Sequence, residues 1–132
     1  MEIAGFDPRY IDGILRLTSA EGWPTLAADG ERALRVLTAP GAVTVVARDG
    51  EAVVGFARAL TDGEWIACLT DMVVDASYRR RGVGRALIAE VFARTRAQRM
   101  DLLAEPGSED FYRSFPHQLW TGFRLYPSTA TP

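Results

Sequence analysis

The stretch that decides the fold runs Met72-Val73-Val74-Asp75-Ala76-Ser77-Tyr78-Arg79-Arg80-Arg81-Gly82-Val83-Gly84-Arg85-Ala86-Leu87. It reads as an apolar strand that ends, a polar loop, and two glycines that open a helix. Free amide groups at a helix start point outward and carry partial positive charge. Glycines let the backbone approach a phosphate closely. The stretch therefore predicts an anion site, which the neighbouring arginines would strengthen.

The spacing of this turn excludes two common phosphate motifs. A dinucleotide fingerprint needs a third glycine at the position where Leu87 stands. A P-loop needs a lysine after its last glycine, and this chain has none, because all 15 of its basic residues are arginines. The anion is therefore held by a different kind of turn.

The patterns on either side of the turn predict an α/β fold. Apolar residues recur at helical spacing after Pro8 and after the capping residue Asp29, whereas Asp49-Gly50 marks a hairpin between two apolar runs. We predict strands at 3–6, 43–47, 52–57, 65–74, 100–104 and 123–126, and helices after residue 8, after residue 29, at 82–96 and at 108–112.

Composition limits the classes to which the protein can belong. A chain of 132 residues with 48% hydrophobic and 24% charged residues fits one soluble domain, residues 1–132. The formal net charge of -2 does not favour nucleic acid as a partner. The single cysteine excludes an internal disulfide, and no signal peptide or membrane span is evident, so we expect a cytoplasmic protein.

The spacing Arg-x-x-Gly-x-Gly from Arg79 to Gly84 resembles the coenzyme A turn of the GNAT acetyltransferase superfamily. The lead-in from Thr70 to Asp75 and the trailing Ala86-Leu87-Ile88 are also similar to that family. Within the superfamily, this stretch resembles the glucosamine-phosphate acetyltransferases, but the resemblance does not identify a substrate. The resemblance covers about residues 1–126. It implies a mixed, mostly antiparallel sheet flanked by helices, with a shortened C-terminal end, and acetyl-CoA as cosubstrate.

The resemblance also implies which residues hold the cosubstrate. Backbone groups of Met72 and Val74 would pair with the pantetheine arm like an added strand. The strand that carries them would diverge from the strand that carries Leu102, often at a β-bulge. The pyrophosphate would lie against the turn, whose cofactor-binding residues are Arg79, Arg80, Arg81, Gly82, Val83, Gly84 and Arg85.

Two residues are candidates for acid and base. Tyr112 resembles the tyrosine that many family members place near the sulfur, and it would protonate the leaving thiolate. The alternative is that Tyr112 only packs or contacts the cofactor. Gly122-Phe123 also follows this tyrosine later here than in the family. Asp71 would act as base or amine anchor, or else would cap backbone amides at a bulge. Glu64, Glu105 and the lone His117 are weaker candidates.

The acceptor pocket is expected to involve Trp23, Asp71 and Trp120. Trp23 lies between the first two helices, the segment that shapes this pocket in the family, although each tryptophan, including Trp65, is more often simple core. Cys68 reads as a packed strand residue. No cluster has metal-ligand spacing, so no metal is expected.

These features together predict an N-acetyltransferase that moves the acetyl group of acetyl-CoA to an amine, expected to be a small molecule. The alternative is a non-catalytic acyl-CoA-binding or sensing domain of the same fold. A nucleic-acid module is a weaker third interpretation. The apolar run 122–126, with Trp120 nearby, would form an edge strand that pairs two copies into a homodimer.

Overall fold

The computed structural model describes residues 1–128 as two compact units, one of residues 1–101 and one beginning at Leu102. Its elements in chain order are β1 (Glu2–Gly5), a 3-10 turn (Pro8–Tyr10), α1 (Ile11–Ala20), α2 (Pro24–Ala27), α3 (Gly30–Leu37), β2 (Ala42–Asp49), β3 (Ala52–Thr61), β4 (Ile66–Val74), a second 3-10 turn (Ala76–Tyr78), α4 (Val83–Thr95), β5 (Arg99–Leu102) and α5 (Glu109–Arg113).

Five strands form one sheet in the order β1-β2-β3-β4-β5. The pairs β1–β2, β2–β3 and β3–β4 are antiparallel. The connection from β4 to β5 contains α4, the kind of helical crossover that parallel strands need. The sheet is therefore mixed and mostly antiparallel, as the sequence predicts.

The core of the first unit lies between the sheet and the helices α1 and α3. Ile14 and Leu37 are buried against Phe56 of β3 and Val73 of β4. Asp29 accepts a hydrogen bond from the amide of Arg32 at 3.1 Å and so caps α3, as predicted. This layer fixes the N-terminal helices over one face of β3 and β4.

Helix α4 covers the other face of the sheet. A Cβ added at Gly55 would lie 3.3 Å from Leu87 and 3.4 Å from Val83, so the helix approaches β3 closely there. Gly55 and Phe56 are adjacent in the strand and point to opposite faces. Phe92 of the same helix is 37% exposed and lies outside this buried face.

The second unit contains α5 and a long irregular segment. The rings of Phe111 and Tyr112 meet edge to face at 5.0 Å, and Phe115 packs on Phe111 in the same way. The predicted strand at 123–126 is wrong: this segment has no strand pairing, and Phe123 and Leu125 are at least 80% exposed. An apolar run alone cannot form a strand without a neighbouring edge to complete its hydrogen bonds.

Candidate functional site

The predicted anion turn adopts a backbone suited to binding a phosphate. Arg80 and Gly82 both lie in the left-handed region, with φ of 64° and 80°. Gly82 is the N-cap of α4, it offers no side chain to bond the first amides, and nothing lies within 4 Å of where its Cβ would be. Alternating left-handed residues before a helix start expose successive amides as an anion-binding concavity. A non-glycine residue held at positive φ is a strain often found at functional sites.

The hairpin between β2 and β3 supports this turn. The hydroxyl of Tyr78 donates to the Asp49 carboxylate at 2.6 Å, a bond that raises the pKa of Tyr78. The guanidinium of Arg81 lies 5.2 Å from the centre of the Tyr78 ring. Tyr78, held by Asp49, therefore keeps the positive charge of Arg81 next to its ring at this turn.

Arg79 directs its side chain toward the protein. It forms an ion pair with Glu21, at the end of α1, and its Nε donates to the Val74 carbonyl at 3.1 Å. Any contact of Arg79 with an anion at the turn therefore falls to its backbone. The Arg79–Glu21 pair links the first helix to the end of β4.

Asp75 shapes the loop that precedes the turn. It accepts hydrogen bonds from the hydroxyl of Ser77 at 2.6 Å and from the Ser77 amide at 2.9 Å, and these bonds, the hydroxyl first, lower the pKa of Asp75. Arg16 of α1 approaches the same carboxylate at 3.9 Å. A cavity of about 380 Å³ lies between α1 and this end of β4, with Arg16, Glu21, Asp75 and Arg79 in its wall.

Strand β4 carries the bulge that the resemblance implies. Arg58 pairs with Asp71 and Ala59 with Leu69, so Thr70 is the extra residue. The bulge sets the side chains of Thr70 and Asp71 beside each other. Thr70 Oγ1 lies 2.8 Å from Asp71 Oδ2, and Arg58 Nη1 donates to Thr70 at 2.8 Å and to Asp71 at 3.4 Å. We call Arg58, Thr70 and Asp71 the bulge triad.

The contacts of Asp71 argue against the role of a cap for backbone amides and leave the role of base or amine anchor as the prediction. The carboxylate caps no backbone amide among residues 1–128; both of its bonds go to side chains. Its side chain is 27% exposed, whereas that of Arg58 is only 13% exposed. Asp71 is thus a fixed carboxylate with one face open to solvent.

Tyr112 belongs to the second unit and lies on α5, where it is half-buried. Burial, with a smaller contribution from the Glu105 carboxylate, raises the pKa of Tyr112 above its ordinary value. Tyr112 is therefore protonated at neutral pH, and its hydroxyl can donate a hydrogen bond. Its role as the acid stays a prediction.

The other candidates are placed as follows. Trp23 is partly buried and packs against the core of the first unit. Trp120 is 80% exposed and Trp65 is 61% exposed, so neither is core. Cys68 is exposed on β4, so the prediction of a packed residue is wrong. Glu64, Glu105 and His117 are exposed, and the His117 ring lies 2.8 Å from the Phe115 carbonyl.

Sequence reasoning missed Arg58, Thr70 and Glu21. Arg58 is the only charged residue in the run 53–59, whose other residues are all buried, and this interruption was a usable signal. Glu21 gives no such signal, because its partner Arg79 is distant in sequence. Among the described residues there is no group of three or more potential metal ligands, and no helix there is long and apolar enough to cross a membrane.

Comparison with known proteins agrees with this geometry. The family described as "Acetyltransferase (GNAT) domain" matches residues 40–115. Mycothiol acetyltransferase of Mycobacteroides abscessus is 34% identical over 84 residues, which are 61% of this chain and 27% of that relative. The chain therefore spans about a quarter of that relative's length.

Solved structures of low identity share the fold. The aminoglycoside N-acetyltransferase AAC(6')-Iy in complex with CoA aligns with a TM-score of 0.72 at 20% identity, over 98% of this chain and all of that one (100%). The ribosomal-protein-alanine N-acetyltransferase of Brucella melitensis biovar Abortus 2308 aligns with a TM-score of 0.73 at 19% identity, over 96% and 99%. Because the family match covers more than half of the sequence and includes the turn and the bulge, the chain belongs to the GNAT acetyltransferase family.

Proposed function

We propose that this protein transfers the acetyl group of acetyl-CoA directly to the amine of a small molecule. The observation that carries the proposal is the turn from Arg80 to the start of α4. Two left-handed residues and an uncapped helix start form an anion-binding concavity beside Arg81. The pyrophosphate of acetyl-CoA is the ligand that the family assignment suggests for it.

The reaction needs few protein groups. The amine nitrogen forms a bond to the thioester carbonyl carbon, the carbon–sulfur bond breaks, and the electron pair leaves with sulfur. One proton leaves the amine and one reaches the thiolate, so the products are an amide and a free thiol. In this proposal Asp71 anchors the amine or relays its proton, and Tyr112 donates to sulfur. Met72 and Val74 pair through their backbone with the pantetheine arm, and Trp23 and Trp120 contribute to the acceptor pocket.

A small-molecule acceptor is supported by several relatives. An aminoglycoside acetyltransferase of the same fold, from an uncultured soil metagenomic sample, forms a complex with sisomicin. One relative that resembles this chain by sequence is a mycothiol acetyltransferase. The ribosomal-protein-alanine acetyltransferase of the same fold acts on a protein by its name. The fold therefore serves both classes, and the acceptor has to be found by assay.

The experiment is a panel of amines, amino sugars, polyamines and peptides assayed for thiol release with acetyl-CoA. The thiol of Cys68 is exposed and would react with the reagent that detects free coenzyme A, so each assay needs a blank without acceptor. Acetylated product identified by mass spectrometry for at least one amine supports the proposal. Tight acetyl-CoA binding with no product from any amine would instead favour the alternative, a non-catalytic acyl-CoA-binding or sensing domain.

We also propose that two copies associate through the apolar segment of the second unit. Leu119, Trp120, Phe123 and Leu125 are each at least 79% exposed. So much exposed apolar surface on one short segment is typical of an interaction site.

A cytoplasmic location remains the prediction made from the sequence.

A further inference from the structure

We propose that Arg58 is a positioning residue that sets the charge at the acceptor site, so that Asp71 binds the amine without holding it in its protonated form. This inference rests on the proposed function, in which Asp71 meets the acceptor amine. It adds a residue that acts through Asp71 and does not touch the reacting atoms.

The geometry ties Arg58 to three oxygens. Its Nε donates to the Val36 carbonyl of α3 at 3.1 Å, and its Nη1 donates to Thr70 Oγ1 and Asp71 Oδ2. Thr70 Oγ1 lies 3.1 Å from the Arg58 carbonyl and 2.8 Å from Asp71 Oδ2. The guanidinium is therefore held from two elements, and the carboxylate that it contacts is held with it.

Both contacts to Asp71 use the same carboxylate oxygen. Arg58 and Thr70 engage Oδ2, and within residues 1–128 Oδ1 accepts no hydrogen bond. A carboxylate fixed through one oxygen presents the other in a defined direction. Oδ1 can then accept a hydrogen bond from the amine that enters the site.

The charge of Arg58 matters because only a neutral amine can attack the thioester. An unpaired, partly buried carboxylate would favour the ammonium form of a bound amine, so it would raise the pKa of that amine. Arg58 offsets the charge of Asp71 at 3.4 Å, so the carboxylate keeps its hydrogen-bonding capacity while its field is reduced. The bulge triad thus orients the amine and leaves it able to lose its proton.

Other charges near the bulge triad are exposed or paired. The neighbouring elements are α3, which supplies the Val36 carbonyl, and β5, which is next to β4 in the sheet. Their charged residues are the exposed Glu31, Arg32 and Arg35 of α3 and the exposed, ion-paired Arg99 and Asp101 of β5. Exposed charges are screened by solvent, so Arg58 is the dominant partner of Asp71.

The test uses three variants and an amine that the wild type acetylates. Arg58→Met removes the charge, Arg58→Lys keeps the charge without the planar fork, and Thr70→Val removes the other bond to Oδ2 without a change of charge. The readout is kcat against pH at saturating amine, together with KM for amine and for acetyl-CoA. Thermal melting checks that each variant folds.

We expect the midpoint of the rising limb of kcat to move up by about one pH unit in Arg58→Met, the scale of one nearby charge. Arg58→Lys should keep the midpoint within a few tenths of a pH unit. Thr70→Val should raise KM for the amine and leave the midpoint unchanged. KM for acetyl-CoA should change less than twofold in all three. If Arg58→Met does not fold, an Arg58→Lys midpoint equal to that of wild type, with raised KM for amine, supports the same conclusion.

An unmoved midpoint in folded Arg58→Met, or an equal shift in Thr70→Val, overturns the inference while the wild type still turns over. When Arg58→Met does not fold, a shifted midpoint in Arg58→Lys overturns it. A wild type that acetylates no amine refutes the proposed function, and this inference with it.

Discussion

At the scale of single residues, a substitution of Tyr112 should change catalysis without changing the binding of acetyl-CoA. Tyr112→Phe keeps the ring and its edge-to-face contact with Phe111 but removes the hydroxyl. If the phenol protonates the leaving thiolate, kcat should fall about 10²-fold, the scale of one positioned acid. Acetyl-CoA affinity, measured by calorimetry, should stay the same.

The pH dependence of the wild type gives a second test of Tyr112. Burial raises the pKa of this phenol, and an acid must be protonated to act. Activity should therefore persist on the alkaline side beyond the ordinary tyrosine value of about 10 before Tyr112 loses its proton. Unchanged turnover in Tyr112→Phe would reduce the residue to a packing role.

Predictions for single residues were possible where the chemistry is local in sequence. The glycines of the turn are adjacent in sequence to its arginines, so the spacing alone made Gly82 and Gly84 candidates for the anion site. Arg58 and Asp71 lie 13 residues apart and meet only because β3 and β4 pair. The charge of Arg58 within an apolar run signals a polar partner, but a single sequence does not say which residue of β4 that partner is, so the complete bulge triad could not be predicted from it.

At the scale of secondary structure, the contact between α1 and β3 depends on the small size of Gly13. A Cβ there would lie 2.6 Å from Cβ of Val53, closer than real atoms approach. Gly13→Ala should destabilise the fold by about 1–3 kcal/mol through overpacking, measured by denaturant unfolding.

Gly30 of α3 is the matched control for this substitution. Nothing lies within 4 Å of its Cβ position, and alanine favours helices more than glycine does. Gly30→Ala should be neutral or stabilising by up to about 1 kcal/mol. Equal effects at the two glycines would contradict the close packing of α1 on β3.

Apart from the short helix α2, the strands and helices of the first unit were predictable because their periodicity matches their burial. The hairpin at Asp49-Gly50 and the cap at Asp29 are local signals that the structure satisfies. The segment 123–126 has the composition of a strand but no strand pairing, and Trp65 and Cys68 are exposed despite apolar neighbours. Composition reports what a segment can do, whereas pairing and burial depend on what surrounds it.

At the scale of the whole molecule, the exposed segment 119–126 predicts self-association. Leu125 is 88% exposed, and a charge placed there would be unpaired within an interface. Leu125→Arg should convert a dimer into a monomer, as measured by light scattering at high micromolar concentration. Trp65→Arg, an exposed apolar residue of the first unit, is the control and should leave the mass unchanged. A monomeric wild type would refute the dimer.

The central claim is that the turn before α4 binds the pyrophosphate of acetyl-CoA through its backbone. The measurement is acetyl-CoA binding by calorimetry to wild type, Gly82→Val and Gly63→Val. Gly82 and Gly63 have φ of 80° and 76° and open space at Cβ, so valine imposes similar strain at each, about 1–2 kcal/mol. We expect wild type and Gly63→Val to bind alike, whereas folded Gly82→Val should not bind detectably. Unchanged affinity in folded Gly82→Val would contradict the claim.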